Sequence, residues 1–349
     1  MSRTAKNANL QSAKKGKNDE FYTRFADIEN ECCRYEQHFR GKTVLCNCDD
    51  PRVSNFFRYF FINFYKLGLT RLIATCCKKP STDLSCRNKY GQAVYCIYDG
   101  TVTDYEFTGI DEFIKQNEWT TLKGDGDFRS GECIELLKQA DIICTNPPFS
   151  LFREYTAQLI EYDKKFLIIG NMNALSYKEI FPLIKENKLW TGINNKSTLY
   201  IVPKEYDGAF QDKNGIWVKK MGNTCWFTNL DHKQRHEELR LCRSYTPEKY
   251  PKYDNYNAVE VSKTSEIPIP ETYDGVMGIP VSFLEKYNPD QFEIVGADYD
   301  VKLGLLPELV NPKWKGKLDR GYLNGERLYA RLLIRHKKSR LPNLENFGK

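Results

Sequence analysis

The chain has little from which to build a metal centre. Its four histidines and twelve cysteines include no C-x2-C spacing. Structural zinc sites draw four such ligands from short, paired spacings, so no metal is expected. No apolar run approaches the roughly 20 residues that cross a bilayer, which argues against a membrane protein. Phosphate-cradling loops are missing too. There is no G-x4-G-K-S/T, which argues against a P-loop nucleotidase. The turn after the first expected strand, Asp50-Pro51-Arg52-Val53-Ser54-Asn55, holds no glycine, so a G-x-G-x-x-G dinucleotide site fails there. The first 18 residues are polar and basic without an apolar centre, unlike a secretory leader. Without a leader the reducing cytosol is the expected compartment, and Cys46, Cys96 and Cys144 read as small core hydrophobes.

What is present suits a globular chain. With 349 residues and 41% apolar composition there is material for one large or two ordinary domains. A net charge of +6 permits a polyanionic partner without requiring one. Short apolar runs at 43–46, 72–75, 93–98, 140–144 and 166–169 read as strands. Helical spacing occupies 19–39, 53–64, 133–137, 152–160 and 177–184. Fully apolar strands alternating with helices predict an α/β fold: a mainly parallel sheet covered by helices on both faces. Beyond residue 189 the alternation stops. Strands are expected at 199–202, 216–219, 225–228 and 332–335, in a region rich in Tyr, Pro and Lys. It reads as a smaller, irregular mixed domain.

The densest chemistry sits at Asn146-Pro147-Pro148-Phe149, directly after an expected buried strand. Two prolines can continue neither a ladder nor a helix interior, so the turn is stiff. It offers an amide side chain, carbonyls with no competing N–H and one flat ring. A nucleobase amino group needs such acceptors and such a face. A plain Pro-Pro loop with a core Phe is the competing explanation. Two further polar turns fall at expected strand ends, Asp49-Asp50-Pro51 and the one holding Asp125 and Asp127, where open α/β sheets bind ligands. Ser54 and Asn55 extend the first of these. Asp127 can accept from an adenine amino group while Phe128 packs on its ring. Turn chemistry alone accounts for Asp127 about as well, and its position favours a ligand.

Phe21-Tyr22-Thr23, Asp50-Pro51, Asp127-Phe128 and Asn146-Pro147-Pro148-Phe149 stand in the order found in amino-methylating DNA methyltransferases. Longer strings narrow the likeness. Asn47-Cys48-Asp49-Asp50-Pro51-Arg52-Val53-Ser54-Asn55-Phe56, Gly126-Asp127-Phe128-Arg129-Ser130 and Thr145-Asn146-Pro147-Pro148-Phe149-Ser150 resemble the EcoRI-type adenine-specific DNA methyltransferase family. So do Cys225-Trp226-Phe227-Thr228-Asn229-Leu230 and Tyr287-Asn288-Pro289-Asp290-Gln291-Phe292, and the likeness runs from about Asp19 to Arg335. The resemblance implies a Rossmann-like class I methyltransferase sheet with a C-terminal recognition domain. It implies S-adenosylmethionine as methyl donor and adenine N6 in double-stranded DNA as acceptor. Asn146 and the Pro147 carbonyl would bind the amino group and Phe149 would stack on the flipped base. Phe21, Tyr22, Asp50, Pro51, Ser54, Asn55, Asp127 and Phe128 would bind the cofactor, with Asp50 and its loop at the methionine part. One departure stands out: the acid that usually ends the second strand is absent from Thr75-Cys76-Cys77-Lys78.

The resulting division is a basic arm at 1–18, a catalytic domain at 19–230 and a target-recognition region at 231–349. Lys14, Lys15 and Lys17 in the arm, with Arg235, Arg240, Lys249 and Lys252, are candidates for DNA contact. His232, Lys233, Arg243, Lys313 and Lys315 belong to the same basic set. For each singly, a solvated surface charge is the simpler account. A cytoplasmic monomer is expected, sharing its target site with a cognate restriction endonuclease without a stable complex. Two other functions use the same features: amino methylation of RNA or protein glutamine, and DNA binding by a chain with a decayed site.

Overall fold

The computed structural model describes residues 22–78, 91–100, 109–195, 198–202, 204–261 and 269–337. Phe21, Lys14, Lys15 and Lys17, and with them the expected basic arm, lie outside the described residues. The chain divides into two compact units. The first takes Met1–Ile180 and Leu189–Asp231, the second Phe181–Lys188 and His232–Lys349.

Among its described residues the first unit has twelve strands: β1 (Tyr22–Thr23), β2 (Thr43–Cys46), β3 (Arg71–Cys76), β4 (Val94–Tyr98), β5 (Thr120–Thr121), β6 (Ile142–Thr145), β7 (Lys165–Asn171), β8 (Trp190–Thr191), β9 (Thr198–Ile201), β10 (Phe210–Gln211), β11 (Trp217–Met221) and β12 (Thr224–Thr228). Eight of them form one sheet in the order β5-β4-β3-β2-β6-β7-β12-β8. Its centre, β3-β2-β6-β7, is parallel. β2 and β6 are buried at every position, which is why they read as unbroken apolar runs. The sheet is not mainly parallel as expected. β4, β5, β12 and β8 all pair antiparallel. An apolar strand of five residues carries no mark of its direction, which the connections on either side decide. A second sheet, β1-β9-β11-β10, is antiparallel throughout.

The longer helices near these strands are α1 (Phe25–Cys32), α2 (Asn55–Ile62), α3 (Gly131–Gln139) and α4 (Phe152–Glu161). Ser54 caps α2 by accepting from the Phe57 N–H at 3.4 Å. The helix buries Phe56, Phe57, Tyr59 and Phe60, and Phe60 meets Phe39 edge-on at 5.1 Å. The helix expected over 19–39 begins only at Phe25, because Tyr22 and Thr23 pair with Ile201 and Tyr200 of β9. It also breaks into a 3-10 turn at Cys33–Tyr35 before a short helix at Glu36–Phe39. The helix expected over 177–184 instead occupies Phe181–Lys185, where Pro182 sits at the helix start, the one place its missing N–H costs nothing.

Glu31 ties α1 to a distant loop. It is fully buried and accepts from the Ile193 N–H at 2.8 Å, the Asn194 N–H at 2.7 Å and the Tyr35 hydroxyl at 3.0 Å. Gly192 is required beside it, since a Cβ there would stand 2.3 Å from the Glu31 carboxylate.

The second unit holds β13 (Val259–Glu260), β14 (Met277–Pro280), β15 (Phe292–Ala297) and β18 (Arg331–His336), ordered β13-β14-β18-β15, and a hairpin of β16 (Tyr322–Leu323) and β17 (Glu326–Arg327). The hairpin turns on Asn324-Gly325, both at positive φ (51° and 79°), the backbone an Asn-Gly pair supplies most readily. Within this unit the Arg331 guanidinium grips Glu260 through both carboxylate oxygens, at 2.8 to 3.1 Å. Tyr253 donates to Glu260, and Tyr256 and the Arg331 N–H donate to Asp298 at 2.5 and 2.7 Å. Among the described residues no helix is long and apolar enough to cross a membrane.

Removing the Glu31 carboxylate takes the acceptor away from two part-buried N–H groups and from the Tyr35 hydroxyl. Glu31→Ala is expected to lower unfolding stability by about 3 kcal/mol or more, read from the shift of the urea midpoint at unchanged slope.

Candidate active site

From β2 the chain crosses the sheet toward β3, and from β6 it crosses the other way toward β7. Between two parallel neighbours whose chains diverge, the loops separate and leave a crevice beyond the strand ends. A cavity of about 190 Å³ opens there. Asn47 and Cys48 line it from the end of β2, Thr75 and Cys77 from the end of β3, and Pro148 and Leu151 from the turn after β6. Gly126, Asp127 and Phe128 add to the wall, and Asp127 is its one charged side chain among the described residues.

The Asn-Pro-Pro-Phe turn leaves β6 at this point. Asn146 is only 4% exposed and Pro147 is buried. Pro148 and Phe149 are half-buried, and Phe149 opens a 3-10 turn, Phe149–Leu151, that leads into α4. Two hydroxyls fix the neighbouring β2 end. Tyr155 of α4 donates to Asn47 Oδ1 at 2.5 Å, and Thr145 donates to the Asn47 carbonyl. Phe128 packs edge-on against Tyr155 at 5.1 Å. The two strand ends and the 126–128 turn are thus joined through buried contacts.

Gly126 lets that turn close. Its φ is +75°, and a Cβ would stand 2.4 Å from the Cys76 carbonyl oxygen and 2.9 Å from Cys77 Cα. The Lys78 N–H donates to the Asp125 carbonyl at 2.5 Å, sealing the turn onto the end of β3. Cys48 is also left-handed, with φ 74°, an uncommon conformation for a residue with a side chain.

Two acids in different loops are held by one device. Asp50 Oδ1 accepts from the Arg52 N–H at 3.0 Å and Nε at 2.7 Å, and its Oδ2 from Nη2 at 2.8 Å. Asp127 Oδ1 accepts from the Arg129 N–H at 2.9 Å and Nε at 2.9 Å, and its Oδ2 from Nη2 at 2.7 Å. The Arg129 bonds hold the Asp127 carboxyl below its usual range. Arg129 also reaches Glu154 of α4 at 2.8 Å. The Asp50 pair is buried, and Asp50 does not line the cavity. Asp49 has no such clip. It is half-buried and accepts from the Ser54 hydroxyl at 3.3 Å. Burial pushes its carboxyl up to about 7, opposed by the Ser54 bond and reinforced by the charge of Asp50.

Of the residues singled out from sequence, Asp127, Phe128 and Pro148 line the cavity. Ser54 serves as helix cap, and Asn55 Nδ2 donates to the Thr23 carbonyl at 2.8 Å, tethering the Tyr22–Thr23 strand to α2. Pro51 is buried in the loop. The list overlooked Asn47, Cys48, Thr75, Cys77, Gly126 and Leu151, and the two arginine clips. The repeated Asp-x-Arg spacing was a visible signal for the clips.

Residues 9–337 match the family described as adenine-specific methyltransferase EcoRI. The chain belongs to that family. It is a DNA adenine methyltransferase. It is 45% identical to the Type II methyltransferase M.EcoRI of Escherichia coli over 97% of this chain and 99% of that protein. It is 38% identical to M.MgeORF184P of Mycoplasma genitalium, over 93% of this chain and 97% of the relative. M.MpnI of Mycoplasma pneumoniae is 40% identical over 81% and 83% respectively. No solved structure matches the chain.

In the second unit of the methyltransferase, Arg240, Lys249, Lys252, Lys233, Arg243, Lys313 and Lys315 are exposed. Arg235 is half-buried and donates to Asn187 Oδ1 at 2.6 Å, and His232 is buried. Arg240 lines a depression of about 400 Å³ together with Glu238 and Glu271, so acids share its surroundings. Trp314 is pinned between basic neighbours, its indole N–H donating to the Lys317 carbonyl at 3.0 Å and its ring meeting Tyr322 at 5.1 Å.

Gly126→Ala forces a left-handed turn and a backbone clash at the cavity wall of the methyltransferase. Its stability is expected to fall by about 2 kcal/mol, seen as a lowered thermal midpoint.

Proposed function

We propose that the enzyme transfers the methyl group of S-adenosylmethionine to N6 of an adenine turned out of duplex DNA. One observation carries the reading: a rigid Asn-Pro-Pro-Phe turn lies beside a cavity whose only charged lining residue, among the described residues, is the acid Asp127. A phosphate-bearing cofactor would call for cations or a ring of N–H donors there. A nucleoside with a cationic sulfur suits an apolar wall of Phe128, Pro148 and Leu151 with one carboxylate in it. The missing Cβ of Gly126 keeps that wall close to the end of β3. The eight-stranded sheet is read as the Rossmann-like sheet of a class I methyltransferase, with its antiparallel edge strands as elaborations.

When bound, the cofactor supplies a methyl group on positively charged sulfur. The chain's own task is positioning. An adenine amino nitrogen is a poor nucleophile because its lone pair is delocalised into the ring. Asn146 Oδ1 and the Pro147 carbonyl, accepting one hydrogen each, favour a pyramidal nitrogen with a localised lone pair. The proline-locked backbone holds those acceptors without reorganisation. The ring of Phe149 stacks on the extruded base and offsets part of the few kcal/mol its unstacking costs. Asn146 has no basicity at neutral pH, so the proton leaves after transfer, once the nitrogen is cationic.

Asp127 would hold the cofactor's adenine, and the loop from Cys48 to Asn55 its amino-acid end. The second unit reads the target sequence, its exposed lysines and arginines contacting phosphates and base edges. The basic first 18 residues run along the DNA backbone. The relatives' designation as Type II methyltransferases points to a protective role against a companion nuclease, exercised by a monomer.

Incubating the protein with methyl-labelled cofactor and duplex DNA, RNA or protein tests this. Label is expected only in DNA, as N6-methyladenine at a defined sequence, and label confined to RNA or protein would overturn it. Asn146→Ala is expected to cut kcat by at least about 100-fold, while calorimetric affinity for the cofactor stays within about threefold.

A further inference from the structure

We infer that Asp49, and not its neighbour Asp50, is the carboxylate that receives the α-ammonium group of the cofactor's amino-acid end. The inference rests on the S-adenosylmethionine reading above and deepens it.

The two adjacent acids have opposite surroundings. Asp50 is 2% exposed, and its two oxygens already take three donors from Arg52. Its carbonyl also accepts from the Val53 and Ser54 N–H groups at 3.0 and 2.8 Å, which folds the loop. Delivering an ammonium to Asp50 would mean breaking a buried bidentate ion pair. Asp49 makes one long hydrogen bond, from Ser54 at 3.3 Å, and has no ion pair among the described residues. Neither acid is among the cavity's described lining residues, but Asp49 directly follows Asn47 and Cys48, which are.

The cavity's size points the same way. At about 190 Å³ it falls below the roughly 300 Å³ at which small-molecule sites begin. It accommodates the nucleoside portion, so the amino-acid portion extends past the rim. Cys48 forms that rim on the β2 side, at a left-handed turn, and Asp49 is the next residue along. A carboxyl raised to about 7 by burial is one that the folded chain has left without a cation, a condition a bound ammonium relieves.

Calorimetry on the full chain distinguishes the two acids. The probes are S-adenosylmethionine, S-adenosylhomocysteine and 5′-methylthioadenosine, the last lacking the amino-acid group altogether. Asp49→Asn is expected to weaken the first two by about tenfold or more and to leave the third within about twofold. Asp50→Asn is expected to lower the thermal midpoint and weaken all three in parallel. Unchanged S-adenosylmethionine affinity in Asp49→Asn, or equal weakening of all three probes, would overturn the assignment. Should Asp49→Asn not fold, wild-type protein and Asp49→Ser are compared with S-adenosylhomocysteine and its deaminated counterpart, S-adenosyl-4-thiobutyrate. Wild type is expected to prefer the amino compound by about tenfold and Asp49→Ser to lose that preference; a wild type indifferent to the amino group overturns the assignment. Wild-type protein that binds none of the probes would overturn the cofactor reading itself, and this inference with it.

Discussion

Parallel pairing of Val44-Leu45 with Ile142-Ile143 is the constraint on which the site depends. It sets two strand ends side by side, while the crossovers carry the chain away on opposite flanks. Nothing in either loop alone makes a crevice; the divergence does. Once it exists, short contacts hold its rim. Tyr155 and Thr145 fix Asn47 from the β6 side, so the loop after β2 is located by groups that flank the Asn-Pro-Pro-Phe turn in sequence, one just before it and one just after. Gly126 lets a third segment lie flush against the end of β3. In the proposed mechanism, rigidity of this kind keeps the acceptors in place before the substrate arrives.

The molecule treats its buried acids in two ways. Glu31, Glu260 and Asp298 are fully supplied with donors and serve packing. Asp50 joins them through Arg52. Asp127 and Asp49 differ: the former keeps a face toward the cavity while Arg129 orients it, and the latter carries a single hydroxyl contact. Asp127 is as fully clipped by Arg129 as Asp50 is by Arg52 and differs in its exposure to the cavity, whereas Asp49 takes a single donor.

Much of this was legible from residue order. The buried strands at 43–46 and 142–145 announce themselves as continuous apolar runs. The Asn-Pro-Pro-Phe turn is legible because proline restricts its own and the preceding residue whatever the tertiary context. Strand direction was not legible. β4 and β12 carry the same apolar signal as their parallel neighbours, and only the assembled connections set their orientation. Tyr22 and Thr23 look helical in isolation, yet pairing with β9 overrides that local preference. The cavity wall was partly hidden for a similar reason: Thr75 and Cys77 lack the acid that would mark a strand end, and Asn47 looks like an ordinary turn residue until Tyr155 is seen donating to it. The Asp-x-Arg clips are local and their repeated spacing is readable in the sequence, whereas the bidentate geometry they share is a property of the folded loops.

The division of the chain into units has its own implication for dissection. Residues 181–188 belong to the second unit although they are encoded inside the first. The polypeptide therefore passes between units three times. A single proteolytic cut or stop codon after residue 231 would not release two intact halves: the upstream fragment would keep a helix native to the other unit, and the downstream fragment would lack it. Swapping specificity between relatives by exchanging carboxyl-terminal segments would meet the same difficulty unless that eight-residue insert travelled along.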